Sequence, residues 1–319
     1  MNVIKQSKVF IFFFAIFLLF GCSQDNQNLQ VEKSGYVNVK CGKLFYKRFG
    51  SGEPIVVLHG GPGLDHNYLL PQLLELSKDY ELIFYDQRGS GKSLDAKIDS
   101  YYVNLDRFSD DLEELRLALN LKKITVIGHC FGGTFAAYYA IKYPESISSL
   151  ILWDCAPVDY NGSQKFVNDA AKRWKHIEDK ISPLFKYEEL EKSSSEQINK
   201  MFEMAFSTYF YDPKNVKFLT LKMSKASHMS GFKVSEEMDK TVWLNPKFNL
   251  FPSLKNLQIP TLIIHAKQDV FPISTARDLE NTIPKSKAVY LDRCGHFSYI
   301  EKADEVFKAI RSFLSDKRK

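Results

Sequence analysis

One cysteine, set among small residues, is the part of the chain best placed to do chemistry. A β-branched run, Ile124-Thr-Val-Ile127, leads into Gly128-His129-Cys130-Phe131-Gly132, and a helical pattern of small residues follows from Thr134 to Lys142. Strand, sharp turn and helix is the layout of the G-x-S-x-G nucleophile elbow, here with cysteine where serine usually stands. Such a turn holds its central residue in a strained conformation. Gly128 and Gly132 are needed because a Cβ at either place would collide with neighbouring backbone. Cys130 would then project above a sheet at the positive end of a helix, where a thiolate is favoured. The pentapeptide alone fits equally well a glycine-rich turn around a buried free thiol, so the rest of the chain has to decide.

A nucleophile of this kind needs a base from elsewhere in the chain, with an acid to orient it and donors for the oxyanion. Seven histidines are available. His59 and His129 flank motifs and read as structural. His66, His176 and His228 stand in no motif, His265 falls within a strand pattern, and His296 lies in Cys294-Gly295-His296-Phe297. Metal chemistry is not expected: there is no C-x2-C or H-E-x-x-H spacing, and Cys294-Gly-His296 is half a site without a second half. No other cofactor is implied. The cysteines at 41, 130, 155 and 294 have no spacing that suggests a disulfide framework.

Positioning such groups takes a large core. The 319 residues, 45% apolar and 25% charged, suit one large globular domain, with room for an insertion. The net charge of +5 comes from interspersed acids and bases. No Lys/Arg stripe with interleaved aromatics occurs, so nucleic acid is not an expected partner.

The N-terminus reads as a targeting segment. Lys5 and Lys8 precede an apolar run from Val9 to Phe20, followed by Gly21-Cys22. The run is short for a membrane span and has the shape of a signal-peptide h-region. Leu19-Phe20-Gly21-Cys22 resembles a bacterial lipobox, which implies a signal peptide over 1–21 and lipidation of Cys22 as the mature N-terminus. That places the protein in the cell envelope, held to the membrane by the lipid alone; a secreted or periplasmic protein is the alternative. Residues 22–34 are polar, rich in Gln and Asn, and read as a tether.

From residue 35 strands and helices alternate. Tyr36–Phe49 reads as an antiparallel hairpin around Gly42. The runs 54–58, 81–85 and 147–153 read as strands buried on both faces, and 124–127, 261–265 and 288–291 as further strands. Helical patterns cover 65–76, 108–119, 134–142, 273–283 and 303–314. This predicts an α/β fold: a mostly parallel sheet with helices on both faces. Residues 157–250 break the alternation and read as a helical cap over the carboxyl ends of the strands, dividing the core into 35–156 and 251–319. Its aromatics, among them Trp174, Phe185, Phe202, Phe206 and Tyr209, read as core packing before they read as a binding surface.

The whole of 35–315 resembles the α/β-hydrolase fold. His59-Gly-Gly-Pro-Gly63 and Asp86-Gln-Arg-Gly-Ser-Gly-Lys-Ser93, with the elbow and the late Gly295-His296 in the expected order, are similar to segments of the proline iminopeptidase family. The resemblance implies Cys130 as nucleophile, His296 as base and Asp269 as acid, in the order nucleophile, acid, base. Asp154, after the preceding strand, is the alternative acid. It also implies an oxyanion hole from the N–H groups of Phe131 and Gly61, and a structural turn linked by Asp86 and Arg88. Expected substrates are a small molecule or short peptide, cleaved at an amide or ester. Cysteine pulls toward esters and lactones, as in dienelactone hydrolases on this fold, whereas the His-Gly-Gly-Pro-Gly loop pulls toward aminopeptidase substrates. Glu178, Glu203, Glu236 and Glu237 are available in the cap to hold a free amine, though each fits a solvated acid as well. A non-catalytic binding protein on the same scaffold is the third reading.

Overall fold

Alternating apolar runs assemble into a single eight-stranded sheet. The structure, a computed structural model, describes residues 33–316. The expected signal segment, Cys22 and the tether as far as residue 32 lie outside them. The strands are β1 (Lys33–Val39), β2 (Gly42–Phe49), β3 (Pro54–Leu58), β4 (Glu81–Tyr85), β5 (Ile124–His129), β6 (Ile147–Trp153), β7 (Thr261–Ala266) and β8 (Ser286–Leu291). Their order across the sheet is β1-β2-β4-β3-β5-β6-β7-β8. The hairpin β1–β2 and the pair β2–β4 are antiparallel, and all other pairs are parallel. Every residue of β5 and β7 is buried, as strands covered by helices on both faces require.

The covering helices are α1 (Leu105–Ala118) and α2 (Phe131–Lys142) and, from the C-terminal part, the helices Ile273–Thr282 and Ala303–Ser315. Asn104 caps α1, accepting from the Arg107 N–H at 2.9 Å. Two expectations are corrected. Strand β1 opens at Lys33, paired with Arg48, so Lys33 and Ser34 belong to the sheet and not to the tether. The helix expected over 65–76 is two 3-10 stretches, His66–Leu69 and Gln72–Lys78. Pro71 lies between them, without an N–H to continue a helical ladder.

The segment between β6 and β7 carries three long helices, α3 (Tyr160–Trp174), α4 (Ser195–Ser207) and α5 (Lys225–Thr241). It has a small core of its own around Ile181, Leu184, Leu190, Ile198 and Ala205. A capping box, Ser194 with Gln197, starts α4. The segment leaves and rejoins the core through a narrow neck. Asp159 bridges to Asn249, the Tyr160 N–H donates to the Phe248 carbonyl, and the Leu250 N–H donates to the Val158 carbonyl, both at 2.9 Å.

Candidate active site

The turn between β5 and α2 holds Cys130 at φ 59° and ψ −129°, a conformation L-residues rarely adopt. A Cβ on Gly128 would lie 2.1 Å from the Gly132 carbonyl oxygen, and one on Gly132 would lie 2.3 Å from that of Leu58. The tight turn is therefore possible only with glycine on both sides. It is anchored to the end of β6, since the Cys130 N–H donates to the Trp153 carbonyl at 3.1 Å and the Cys130 carbonyl accepts from Ala156 N–H at 3.0 Å. Phe131 is the first residue of α2, so its N–H is one of the amides that a helix start leaves without an intrahelical partner.

His296, in the loop after β8, reaches back over this turn. Its Nδ1–H donates to Asp269 Oδ1 at 2.9 Å, and the Phe271 N–H donates to the same oxygen at 3.1 Å. The backbone N–H of His296 donates to the Tyr209 carbonyl at 2.8 Å. The rings of Phe271 and Tyr209 meet its ring edge-on, with centroids at 5.2 and 5.7 Å. With Nδ1 committed to Asp269, Nε2 is the nitrogen left for Cys130, which lines the same cavity. Burial works to lower the His296 pKa, but the carboxylate of Asp269 and the Cys130 sulfur outweigh it and hold the ring well above the usual histidine value. Burial likewise works to raise Asp269, and the His296 charge and hydrogen bond reverse it, so its carboxyl stays below the usual range.

Asp154 makes no hydrogen bond to His296. Its Oδ1 accepts from the Ala266 N–H at 2.8 Å, and its Oδ2 lies 2.6 Å from Ser298 Oγ. Burial and the neighbouring Asp269 push its pKa well up. Asp154, His265 and Asp269 bring three ligand-type atoms within 4.8 Å of one another. Both oxygens of Asp154 and one of Asp269 are already taken by protein hydrogen bonds.

The loop His59–Gly63 lies beside Cys130. Gly60 passes so close that a Cβ there would be 2.7 Å from the Cys130 Cβ. Gly61, at φ +121°, adopts a backbone that only glycine tolerates well. Two histidines hold this loop. His129 Nε2–H donates to the His296 carbonyl at 3.0 Å; since a carbonyl can only accept, Nδ1 must accept, and it does so from the Tyr68 hydroxyl at 2.8 Å. The Tyr68 oxygen in turn accepts from the Gly60 N–H at 2.8 Å. One relay thus joins the His59–Gly63 loop to the backbone of His296. Burial and the His296 charge push the His129 pKa down to about 3, which keeps the ring in this single-donor form. His59 Nε2 accepts from the Gln87 N–H at 3.0 Å, and its Nδ1–H donates to the Gly60 carbonyl at 2.9 Å.

Asp86 and Arg88 do not pair with each other. Asp86 bonds His66 at 2.6 Å and the Lys92 N–H at 2.8 Å, while Arg88 forms a two-pronged pair with Asp111. Both side chains are buried, and each meets the partner that its own direction out of the turn presents.

Cys130, His296, Gly61 and Tyr68 open on one cavity of about 540 Å³ roofed by the helical segment. Trp174, Phe185, Phe202, Phe206 and Tyr209 line it, so these aromatics face the cavity besides packing on one another. Of the four glutamates weighed for an amine site, Glu236 alone lines the cavity, and Glu237 pairs with Lys240 at 2.7 Å. Asp239, one turn beyond Glu236 on α5, also lines it. Burial and Glu236 raise its carboxyl to about 6. Asp239 and His228, which sits on the same helix and faces the same cavity, had no motif to mark them. The signal was the helical spacing 228, 232, 235, 236, 239, which keeps one face of α5 toward the site.

Residues 53–303 match the family described as the alpha/beta hydrolase fold. The proline iminopeptidase of Heyndrickxia coagulans is 31% identical over 291 residues, covering 88% of this chain and 98% of that one. Among solved structures, the proline iminopeptidase of Mycobacterium smegmatis superposes with a TM-score of 0.67 at 18% identity, over 89% of this chain and 98% of that one. The esterase RhEst1 from Rhodococcus sp. ECU1013 superposes with a TM-score of 0.70 at 21% identity, again over 89% of this chain and 98% of that one.

Proposed function

The chain belongs to the α/β-hydrolase fold family and is a proline iminopeptidase-like hydrolase; from that premise we propose that it releases N-terminal proline from short peptides, with Cys130 as nucleophile, His296 as base and Asp269 as orienting acid. The observation that carries the substrate reading is the acidic pair Glu236 and Asp239 on the wall of a largely apolar cavity above Cys130. A carboxylate in apolar surroundings is costly unless a cation meets it, and the ammonium of a free N-terminus is such a cation.

In this reading the Cys130 thiolate attacks the carbonyl carbon of the N-terminal residue while His296 carries the proton. The carbonyl oxygen becomes an oxyanion between the N–H groups of Phe131 and Gly61. His296 then gives its proton to the leaving nitrogen, the C–N bond breaks, and a thioester to Cys130 remains. A water attacks the thioester, losing its proton to His296, and the acid and the thiolate are regenerated. Proton delivery must precede departure of the amine, because a thiolate is the better leaving group. The raised pKa of His296 keeps a proton on the ring for that delivery.

The aromatic lining favours a second reading, a hydrolase of apolar esters or lactones. A fluorogenic panel of aminoacyl amides, acyl esters and lactones on protein lacking residues 1–22 separates the two. Turnover of a proline arylamide, with little on acyl esters, is expected; the reverse order would replace the first reading with the second. Loss of turnover in Cys130→Ala is required by both, and full activity there would remove Cys130 from the mechanism. We also propose that the protein is a lipoprotein of the cell envelope anchored through Cys22. Cys22→Ala should move it from the membrane to the soluble fraction, and an unchanged distribution would refute the anchor.

A further inference from the structure

Buried side-chain polar atoms are nearly always hydrogen-bonded, so a group of exceptions around one cavity asks for a ligand. His228 Nδ1, Asp239 Oδ1, Trp174 Nε1 and Trp243 Nε1 are buried without a partner among the described residues, and all four side chains line the cavity above Cys130. They are two acceptors and two donors, which a hydrocarbon ester would leave unmet and a peptide, with its N–H and C=O groups, can satisfy.

His228 is the most sharply defined of them. The amide of Asn199 is oriented by backbone: its Nδ2 donates to the Met223 carbonyl and its Oδ1 accepts from the Met223 N–H, both at 3.4 Å. Oδ1 is therefore the atom facing His228 Nε2 at 3.0 Å, and that nitrogen must carry the hydrogen. Nδ1 is left as a bare acceptor. The ring is 4% exposed and lies flat against Phe202, with centroids 5.6 Å apart, so it cannot turn freely. Burial pushes its pKa down to about 4, and the acceptor form persists at neutral pH.

The spacing along α5 gives the length of the ligand. At about 1.5 Å per residue and about 100° per residue, His228 and Asp239 lie about 16 Å apart on nearly the same helix face, and His228 and Glu236 about 12 Å apart. An extended peptide rises about 3.3 Å per residue, so about four residues cover the distance to Glu236 and about five that to Asp239.

We infer that His228 is a specificity residue, whose Nδ1 accepts a hydrogen bond from a backbone N–H on the leaving side of a peptide about four or five residues long. This rests on the reading that Glu236 and Asp239 take the terminal amine. The indole N–H groups of Trp174 and Trp243 then face the carbonyls of the same peptide.

The test is N-methyl scanning. kcat/KM is measured for Pro-Ala-Ala-Ala amide and for analogues methylated on one amide nitrogen at a time beyond the scissile bond. In the native enzyme one methylation should lower kcat/KM about tenfold, the loss expected for one hydrogen bond. In His228→Leu the same pair should differ by less than about twofold. A readout without a change at His228 uses Cys130→Ala protein labelled with 15N-histidine. The Nδ1 resonance of His228 should move on saturation with the parent peptide and stay in place with the sensitive methylated one. Equal turnover of all analogues by the native enzyme, a gap that persists in His228→Leu, or a resonance that does not move would overturn the inference while leaving iminopeptidase activity standing. Failure to cleave any proline-initiated substrate would sink both.

Discussion

Tyr68→Phe removes a single oxygen, and its cost can be worked from the relay through His129. The lost hydroxyl takes two buried bonds with it, from the Gly60 N–H and to His129 Nδ1, each 2.8 Å long. Gly60 and His129 are both buried, so the two groups are left without a protein partner. A buried polar group left unmet costs about 1–3 kcal/mol, so the substitution should destabilise by ~2–6 kcal/mol, a large share of the ~5–15 kcal/mol typical of a domain. Gly60 precedes Gly61, so the loop proposed to hold the oxyanion loosens as well. Complete loss of one oxyanion donor costs a factor of about 10² to 10³. A loosened donor should therefore lower kcat about tenfold with KM nearly unchanged, since the contact matters in the transition state. Urea unfolding with an unchanged m-value and a lowered midpoint measures the first effect, and steady-state kinetics the second. Tyr299→Phe is the control: it removes one bond, to the Tyr68 carbonyl at 2.9 Å, and should cost about 1 kcal/mol with kcat preserved. A Tyr68→Phe enzyme within ~0.5 kcal/mol of native stability and with full kcat would refute the relay.

Other consequences are open to direct measurement. Iodoacetamide should label Cys130 before Cys155 and Cys294, which are buried and whose thiols burial pushes far up; equal labelling with full turnover would count against a reactive thiolate. Asp269→Asn should lower kcat by a factor of about 10³ to 10⁴ by leaving His296 in the wrong tautomer, and a loss below tenfold would return the acid role to Asp154. Gly132→Ala should fail to yield folded protein or lose activity, because its Cβ meets the Leu58 carbonyl at 2.3 Å; an active, stable variant would contradict the elbow geometry. Stability should fall on acidification below pH 6.5. His59, His129 and His228 are held near 4, 3 and 4 in the fold, so the unfolded chain binds the extra protons. His265, also lowered by burial, adds to the fall, whereas Asp111 and Asp239, raised to about 6, and Asp154, pushed well up, oppose it; four histidines against three carboxyls leave a shallow net fall between pH 6 and 4. A urea midpoint at pH 5 equal to or above that at pH 7 would show the sign to be wrong.

The sheet was legible because its central strands are largely buried: β3, β4, β5 and β7 are mostly apolar runs, and β6 is one from Leu150 to Trp153. The places of Cys130, His296 and Asp269 were legible because each follows a strand in a segment with a recognisable spacing. The arrangement of 66–78 was not, since a leucine-rich periodicity outweighed Pro71. Nor could spacing reveal that Arg88 turns to Asp111, 23 residues away, and Asp86 to His66. The cavity wall was hidden for a related reason. Asp239 and His228 acquire meaning only when α5 is laid across the site, and an aromatic that roofs a cavity has the same helical spacing as one that fills a core.

The neck at Asp159 and Asn249 separates two inheritances. Every group proposed to act on the scissile bond comes from the sheet and its loops, whereas His228, Glu236 and Asp239 come from one uninterrupted insert pinned at its base by paired backbone bonds. Tyr209, whose carbonyl holds the His296 backbone, ties the same insert to the site below, while substitutions along α5 can retune what is recognised. Selection can thus explore diets with a fixed set of teeth.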